Sequence, residues 1–344
     1  MNSTLLAVTQ GKILEGFRWP LLAGLLAAIL SWLFTPAVRN LAIQRGAIAD
    51  PNVDDRRVHT EPTPQWGGLA IYAGFLGALA ATLPFAYPRA SFPPYLIAML
   101  VIGALVVVMG ALDDLYQFRA SVQAAFLLAA GIAVQVLFDH TGRVQISSVA
   151  IPFSGDANSI ISFGIWAVPL TAVYVFVVAK TMDTIDGIDG LAAGMATFAA
   201  ATLTIIAAYG GQPRVAIVAA AIGGSALGFL RHNYNPAKIF MGAGGAQLLG
   251  FLLACLSIVG ALKTAAAVAL IVPVLAFGVP IFDAAFVVAR RLLSRQPITQ
   301  GDKRHLHHTL LNLGLSQRQA VLVLYGAAVA LCGVLLVMVL RRYG

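Results

Sequence analysis

Ten long apolar segments run through this chain, and they constrain its fold more than any other feature. A bilayer core is crossed by about 20 apolar residues in a helix, and every backbone polar group must be satisfied inside that segment. Only 10% of the residues are charged and 59% are hydrophobic, whereas a soluble domain is roughly a quarter charged. We therefore predict an all-α polytopic membrane protein, with one membrane-embedded domain over residues 1–344. The segments lie near 19–38, 66–86, 94–112, 120–138, 160–179, 191–209, 215–230, 246–262, 265–289 and 320–340.

Lys and Arg are distributed unevenly between the two sets of connecting loops. Of 22 such residues, 14 follow odd-numbered segments, and positive charge marks the cytoplasmic side. We therefore expect cytoplasmic loops after the odd-numbered segments, outward-facing termini, and a first segment that spans the membrane rather than acting as a cleaved signal. The net charge of +8 suits anionic headgroups or an anionic substrate. Without a basic tail, it argues against nucleic-acid binding.

One outward loop, at 140–158, differs from the others. Apolar residues alternate patchily from Val144 to Ile151, and Pro152 and Gly155 interrupt them. This pattern predicts a short hairpin on the outer surface.

Asp113 and Asp114 stand together at the cytoplasmic end of the third segment. Carboxylates at the rim of an apolar helix are costly unless they are paired, solvated or bound to a cation. Ordinary solvation of a helix end is nearly as good an explanation for this pair alone.

Three further carboxylates, Asp183, Asp186 and Asp189, follow the fifth segment. Their spacing of three places them on one side of a helix, while Gly187 and Gly190 favour a broken helix that a ligand can approach closely. A turn with a helix cap accounts for one Asp. Three acids beside an apolar segment predict a cation, and magnesium, which also binds substrate phosphate, suits hard oxygen ligands.

Basic and imidazole side chains fill other loops on the same side. A clamp for a diphosphate is the chemistry that such side chains favour, with a solvated basic loop or a structural connector as the alternatives. The substrate-binding candidates are Arg57, His59, Asn233, Lys303, Arg304, His305, His307 and His308.

The run from Gly242 to Gly245 is not a dinucleotide fingerprint, because it has no third glycine and no strand before it. It favours close packing or ligand approach instead.

Taken in order, these motifs resemble the polyprenyl-phosphate N-acetylhexosamine-1-phosphate transferase family over roughly residues 40–320. The resemblance implies transfer of N-acetylhexosamine 1-phosphate, most simply GlcNAc 1-phosphate, from a UDP-sugar to undecaprenyl phosphate, with UMP released. It also implies Mg²⁺ (Mn²⁺ possible), a cytoplasmic site on a bacterial plasma membrane, cell-envelope polysaccharide synthesis and a possible homodimer. The motifs are Pro64 with Gly67-Gly68, Asp113-Asp114, Asp186 to Leu191, Arg231 to Pro236, Met241-Gly242, Pro280 to Asp283 and His305 to His308.

By the same resemblance, Asp113, Asp114, Asp186 and Asp189 are the catalytic candidates. Asp114 and Asp183 are the expected metal ligands.

The chain departs from the family's pattern at three positions. Ala243 stands where the family has a metal-binding Asp, and Asp183 and Lys180 stand where it has Asn. We hypothesise that Asp183 compensates for the missing carboxylate. The alternatives are a non-catalytic homologue that binds nucleotide sugar or lipid phosphate, and a transporter, although transporters place such groups near the bilayer midplane. A CDP-alcohol phosphotransferase is disfavoured, because the Ala-Arg pair and the downstream Asp series expected after Asp186-Gly187 are absent.

Overall fold

The structure, a computed structural model, describes residues 3–51, 61–88, 92–137, 144–150, 160–261, 277–294 and 305–343. Over these residues it is almost entirely helical, which confirms the all-α polytopic prediction. The helices are α1 Ser3–Arg45, α2 Gly67–Ala86, α3 Pro94–Tyr116, α4 Ala120–Val136, α5 Ala167–Ile185, α6 Leu191–Tyr209, α7 Pro213–Asn233, α8 Gly242–Ala261, α9 Gly278–Leu293, α10 Leu306–Asn312 and α11 Gln317–Tyr343.

Eight helices in the described residues are long and apolar enough to cross a membrane: α1, α2, α3, α5, α6, α7, α8 and α11. The shorter α4 is also apolar. The expected ninth span, 265–289, falls partly on residues outside the described ranges, and α9 covers its second half. The protein is therefore a multi-pass membrane protein.

Helix α8 occupies the centre of the bundle. Its most apolar window is 94% buried, against 22% for α1 and 28% for α11. It packs against α2, α3, α5, α6 and α7, so the residues at its first turn are surrounded by other helix ends.

Small residues bring α1 and α7 into close contact. Gly224 lies against the backbone of Gly24, and Gly228 against the carbonyl of Ala28. Four-residue spacing of small residues is the usual way for membrane helices to approach closely.

A proline inside α1 creates a second contact with α7. Pro36 has no N–H, which leaves the carbonyl of Trp32 without its usual partner four residues on. The Nε2 of His232 lies 3.1 Å from that oxygen, so a side chain of α7 satisfies it.

Two short antiparallel strand pairs complete the fold. Strand β1 (Ile48–Ala49) pairs with β2 (Thr63–Pro64). Strand β3 (Ser148–Ala150) pairs with β4 (Ile160–Ser162), as the predicted hairpin requires, although the second strand lies beyond the expected limit of 158. Its place on the outer surface stays a prediction.

The start expected for the fifth span, residue 160, was wrong. Residues 160–162 are paired in β4, a 3-10 turn follows at Gly164–Trp166, and α5 begins only at Ala167. Apolar residues in a hairpin continue into an apolar helix without a change in hydropathy, so the sequence shows no boundary there.

Candidate active site

The ends of α3, α5 and α7 meet the starts of α2, α4, α6 and α8 at one end of the bundle, here called the motif end. This arrangement follows because successive helices run in opposite directions through the bundle. The acidic motifs and the described histidines at 305–308 lie there, and the predicted convergence of the motifs on one side is present.

Contacts between glycines hold the motif end together. Gly68 of α2 lies against Gly245 of α8, and Gly110 of α3 lies against Gly244. In both cases a Cβ would overlap backbone atoms. The predicted close packing of the glycine run that starts at Gly242 is confirmed, and it brings the end of α3 against the first turn of α8.

Asp114 lies in this contact. Its Oδ1 accepts a hydrogen bond of 3.0 Å from the backbone N–H of Ala243. Its Oδ2 is buried and has no hydrogen-bonding partner. Gly242, at φ +72°, faces the same oxygen, and a Cβ there would collide with it. A buried carboxylate oxygen without a donor is costly, so this position favours a cation or a substrate donor.

The neighbouring Asp113 is fully bonded. Its Oδ1 accepts from the backbone N–H of Phe118 at 2.8 Å. Gln123 of α4 donates to both of its oxygens, at 3.0 and 2.9 Å. The two adjacent carboxylates therefore differ: Asp113 is fixed by protein donors, and Asp114 keeps one oxygen available.

The acidic segment from Asp183 to Asp189 is part helix and part turn. Asp183 lies on the last turn of α5, which ends at Ile185. Gly190, at φ +82°, is the N-cap residue directly before α6. The prediction of a helix therefore holds for Asp183, and the prediction of a broken helix holds for the glycines that follow. A single helix does not carry all three carboxylates.

Asp186, in the turn, is surrounded by negative charge. Burial raises its pKa well above the ordinary value, and the charges of Asp183, Asp114 and Asp189 raise it further. A carboxylate in such a position either holds a proton or pairs with a cation.

Asp189 and Asn233 stabilise the turn. The Oδ2 of Asp189 accepts from Asn235 at 2.9 Å and from the N–H of Ala237 at 3.0 Å. Asn233 is 2% exposed; it accepts from the N–H of Gly190 and donates to the carbonyl of Ile239, both at 3.1 Å. These contacts are structural. The catalytic role of Asp189 and the substrate-binding role of Asn233 stay predictions.

Lys180 supplies the positive charge within the described part of this cluster. Its Nζ lies 2.6 Å from Oδ2 of Asp183 and 2.8 Å from Oε1 of Gln123. Gln247 of α8 also approaches Asp183, at 3.4 Å. A chain of polar contacts therefore runs from Asp113 through Gln123 and Lys180 to Asp183.

The histidine segment packs beside the acidic turn. His307 is 2% exposed, and its ring abuts Gly187, where a Cβ would lie 2.6 Å from Nε2. Burial lowers its pKa to about 4, with His308 and His305 as further causes, so it is neutral at pH 7. His305 lies 2.8 Å from Oδ2 of the buried Asp283, whose Oδ1 accepts from the N–H of Leu306.

Four predicted substrate-binding residues, Arg57, His59, Lys303 and Arg304, lie outside the described residues. Sequence reasoning missed Gln123, Gln247 and Trp66, whose Nε1 donates to the carbonyl of Ala111 at 2.8 Å. A polar residue inside an apolar segment is a functional candidate, and that signal marks both glutamines.

The cluster fits a magnesium ion that keeps water ligands. No group of three or more His, Cys, Asp or Glu side chains close enough to hold a metal occurs within the described ranges. Magnesium is nonetheless commonly held by one or two carboxylates together with substrate phosphate. The unpaired Oδ2 of Asp114 and the Asp183 carboxylate, whose charge acts on Asp114, match that donor set.

Known proteins are similar to this chain over most of its length. Residues 96–261 match the family described as Glycosyl transferase family 4. The chain is 36% identical to the probable undecaprenyl-phosphate N-acetylglucosaminyl 1-phosphate transferase of Bacillus subtilis, over 85% of this chain and 77% of that protein.

Two other relatives are also similar to this chain over most of its length. The decaprenyl-phosphate N-acetylglucosaminephosphotransferase of Mycobacterium tuberculosis is 33% identical, over 88% of this chain and 78% of that protein. The undecaprenyl-phosphate alpha-N-acetylglucosaminyl 1-phosphate transferase of Escherichia coli is 26% identical, over 89% of this chain and 80% of that protein.

Proposed function

This chain belongs to the polyprenyl-phosphate N-acetylhexosamine-1-phosphate transferase family, and we propose that it transfers GlcNAc 1-phosphate from UDP-GlcNAc to undecaprenyl phosphate. The motif end is then the cytoplasmic face of a bacterial plasma membrane, and the product initiates a cell-envelope polysaccharide. The bilayer supplies the lipid acceptor, and a homodimer is the proposed assembly.

The observation that carries the proposal is the excess of negative charge around Asp114 and Asp186, of which Lys180 pairs only with Asp183. One oxygen of Asp114 is buried without a donor, and Asp186 faces three other carboxylates. A divalent cation held by these carboxylates would balance this charge and would attract the phosphates of both substrates.

In the proposed reaction, an oxygen of the lipid phosphate attacks the phosphorus attached to the sugar. The bond from that phosphorus to the oxygen of UMP breaks, and UMP leaves with the electron pair. The lipid phosphate is already an anion, so the attack needs no strong base. Bound magnesium neutralises charge on the diphosphate; the remaining work is positioning and electrostatic stabilisation.

Different residues of the chain are proposed to contribute to positioning and to electrostatic stabilisation. Asp113, held by Phe118 and Gln123, orients the acceptor side of the site, and Asp114 with Asp183 holds the cation. His305 and His308 are proposed to contact the diphosphate. His307, which is 2% exposed and abuts Gly187, is proposed to hold this segment in place, and its own contact with substrate stays a prediction. Lys303, Arg304, Arg57 and His59 are proposed to add positive charge to that contact.

Release of UMP tests the proposal. Purified protein in detergent receives undecaprenyl phosphate, UDP-GlcNAc and Mg²⁺, with parallel reactions that omit the lipid or contain a chelator. We expect UMP only when lipid and metal are both present. UMP release that is indifferent to the lipid would refute the transferase, and release in chelator would refute the use of a metal.

One observation favours a second function, that of a non-catalytic binding homologue. Ala243 stands beside Asp114 and offers the site only its backbone N–H, where the family has a carboxylate. This candidate predicts that UDP-GlcNAc binds without UMP release, and that Ala243→Asp creates turnover. Turnover by the unmodified chain contradicts it.

A further inference from the structure

Lys180 is a cation built into the carboxylate cluster at the end of α5. Its Nζ is 2.6 Å from Oδ2 of Asp183. The side chain of Lys180 is 36% exposed and that of Asp183 17%. The pair is therefore enclosed more than a typical surface ion pair, whose contribution is small.

Three helices fix the position of the ammonium group. Gln123 of α4 accepts from Lys180 with its Oε1 at 2.8 Å, and its amide nitrogen donates to Asp113 of α3. The amide can satisfy both partners in only one orientation, since the oxygen must face Lys180 and the nitrogen must face Asp113. The site therefore positions this lysine rather than leaving it to solvent.

Lys180 contacts one oxygen of the carboxylate that is proposed as a metal ligand. Oδ2 of Asp183 receives Lys180 and also Gln247. A small divalent cation demands close oxygen ligands, and it cannot approach the same oxygen while the ammonium group lies 2.6 Å away. Repulsion between the two cations adds to this steric conflict.

We propose that Lys180 is a resident counter-ion of Asp183 which a divalent cation must displace, and that Lys180 thereby weakens cation binding. This inference rests on the proposed function only in taking Asp183 as a ligand of the cation. Lys180 acts through Asp183 and is a positioning residue, and the site works at higher cation concentrations than its carboxylates alone would set.

Binding of Mn²⁺ tests the proposal without substrates. The full chain is purified in detergent, and free Mn²⁺ is followed by its electron paramagnetic resonance signal. Changes in residues that contact metal ligands typically alter metal affinity by about 10–100-fold. We expect Lys180→Met to bind Mn²⁺ at least about tenfold more tightly than the unmodified chain. Lys238→Met, which removes an exposed lysine at the same end, is the matched control and leaves the affinity unchanged.

Three more variants separate charge from side-chain shape. Lys180→Arg keeps the charge and should retain weak binding. Lys180→Gln should reproduce the gain, and it replaces the methionine variant if that variant does not fold. Combining Lys180→Met with Asp183→Asn should abolish the gain, because the competition is for the Asp183 carboxylate.

Equal or weaker Mn²⁺ binding by both uncharged variants, or no Mn²⁺ binding by any variant, overturns the proposal. A gain that persists with Asp183→Asn overturns it too, because the effect then bypasses that carboxylate. The outcome is distinguishable from failure of the proposed function, since UMP release is a separate measurement and the Mn²⁺ comparison requires no turnover.

Discussion

Replacing Gly110 with alanine should destabilise the protein, because this glycine sets the distance between α3 and α8. A Cβ at residue 110 would overlap the backbone of Gly244, and it would lie 2.8 Å from the carbonyl carbon of Ala243. Backbone cannot rotate aside as a side chain can, so the two helices must separate. Separation of α3 from α8 also lengthens the hydrogen bond from the N–H of Ala243 to Asp114.

The expected change in the free energy of unfolding combines two destabilising effects and one stabilising effect. Overpacking a tight contact costs about 1–3 kcal/mol, and losing a hydrogen bond to a charged group costs about 1.5–3 kcal/mol. Alanine returns about 1 kcal/mol of helix propensity relative to glycine. We therefore expect the free energy of unfolding to fall by about 3 kcal/mol.

Gly103→Ala is the matched control, because it lies on the same helix and faces α8 as well. Its Cβ would meet side-chain atoms of Leu248, Leu252 and Tyr72, at 3.3, 3.5 and 3.7 Å, and the ends of the two leucines can adjust. Both variants are compared by denaturant titration in mixed micelles and by UMP release. If Gly110→Ala is as stable and as active as Gly103→Ala, the backbone contact does not hold the site and the reasoning is refuted.

Three further changes probe the contacts that support the site. Asn233→Ala should lower the free energy of unfolding by about 2 kcal/mol, because it leaves the N–H of Gly190 without its acceptor; an unchanged value would show that water replaces the amide. Trp66→Phe keeps an aromatic ring, although a smaller one, and removes the N–H that reaches Ala111. It should cost at least about 1 kcal/mol, whereas a stability equal to that of the unmodified chain would count against this hydrogen bond. The pKa of His307 is lowered from 6.5 to about 4, so its contribution to stability is complete above pH 6.5 and is lost as the pH falls toward 4. His307→Gln should flatten the stability profile in that window, and an identical slope in the variant would exclude His307 as its source.

The grouping of helix ends at the motif end was predictable from the sequence, because charged loops alternate with apolar segments that are long enough to cross a membrane. A chain that crosses repeatedly must return its odd-numbered ends to one side, which places Asp113, Asp186 and His307 together without any knowledge of packing. The hairpin was predictable for a similar reason, because alternation and turn residues are local. Its second strand was not, since nothing in residues 160–162 distinguishes a strand from an apolar helix.

The polar contacts within the site depend on how the helices are rotated against each other. Lys180 and Gln123 are 57 residues apart, and no local pattern shows that α4 turns its glutamine toward α5. Asn233 follows two basic residues and therefore resembles a surface position. It is buried because the turn at Gly190 packs over it, a tertiary effect that residue type does not encode.

The hydrogen bond from the N–H of Ala243 to Asp114 has a consequence for how this protein can diverge. An alignment column records side chains, whereas this contact is made by the main chain, which every amino acid except proline provides. Substitution at position 243 can therefore remove or introduce a side chain while the main-chain anchor of Asp114 is inherited unchanged. The geometry around Asp114 can thus persist while the side chain at position 243 changes.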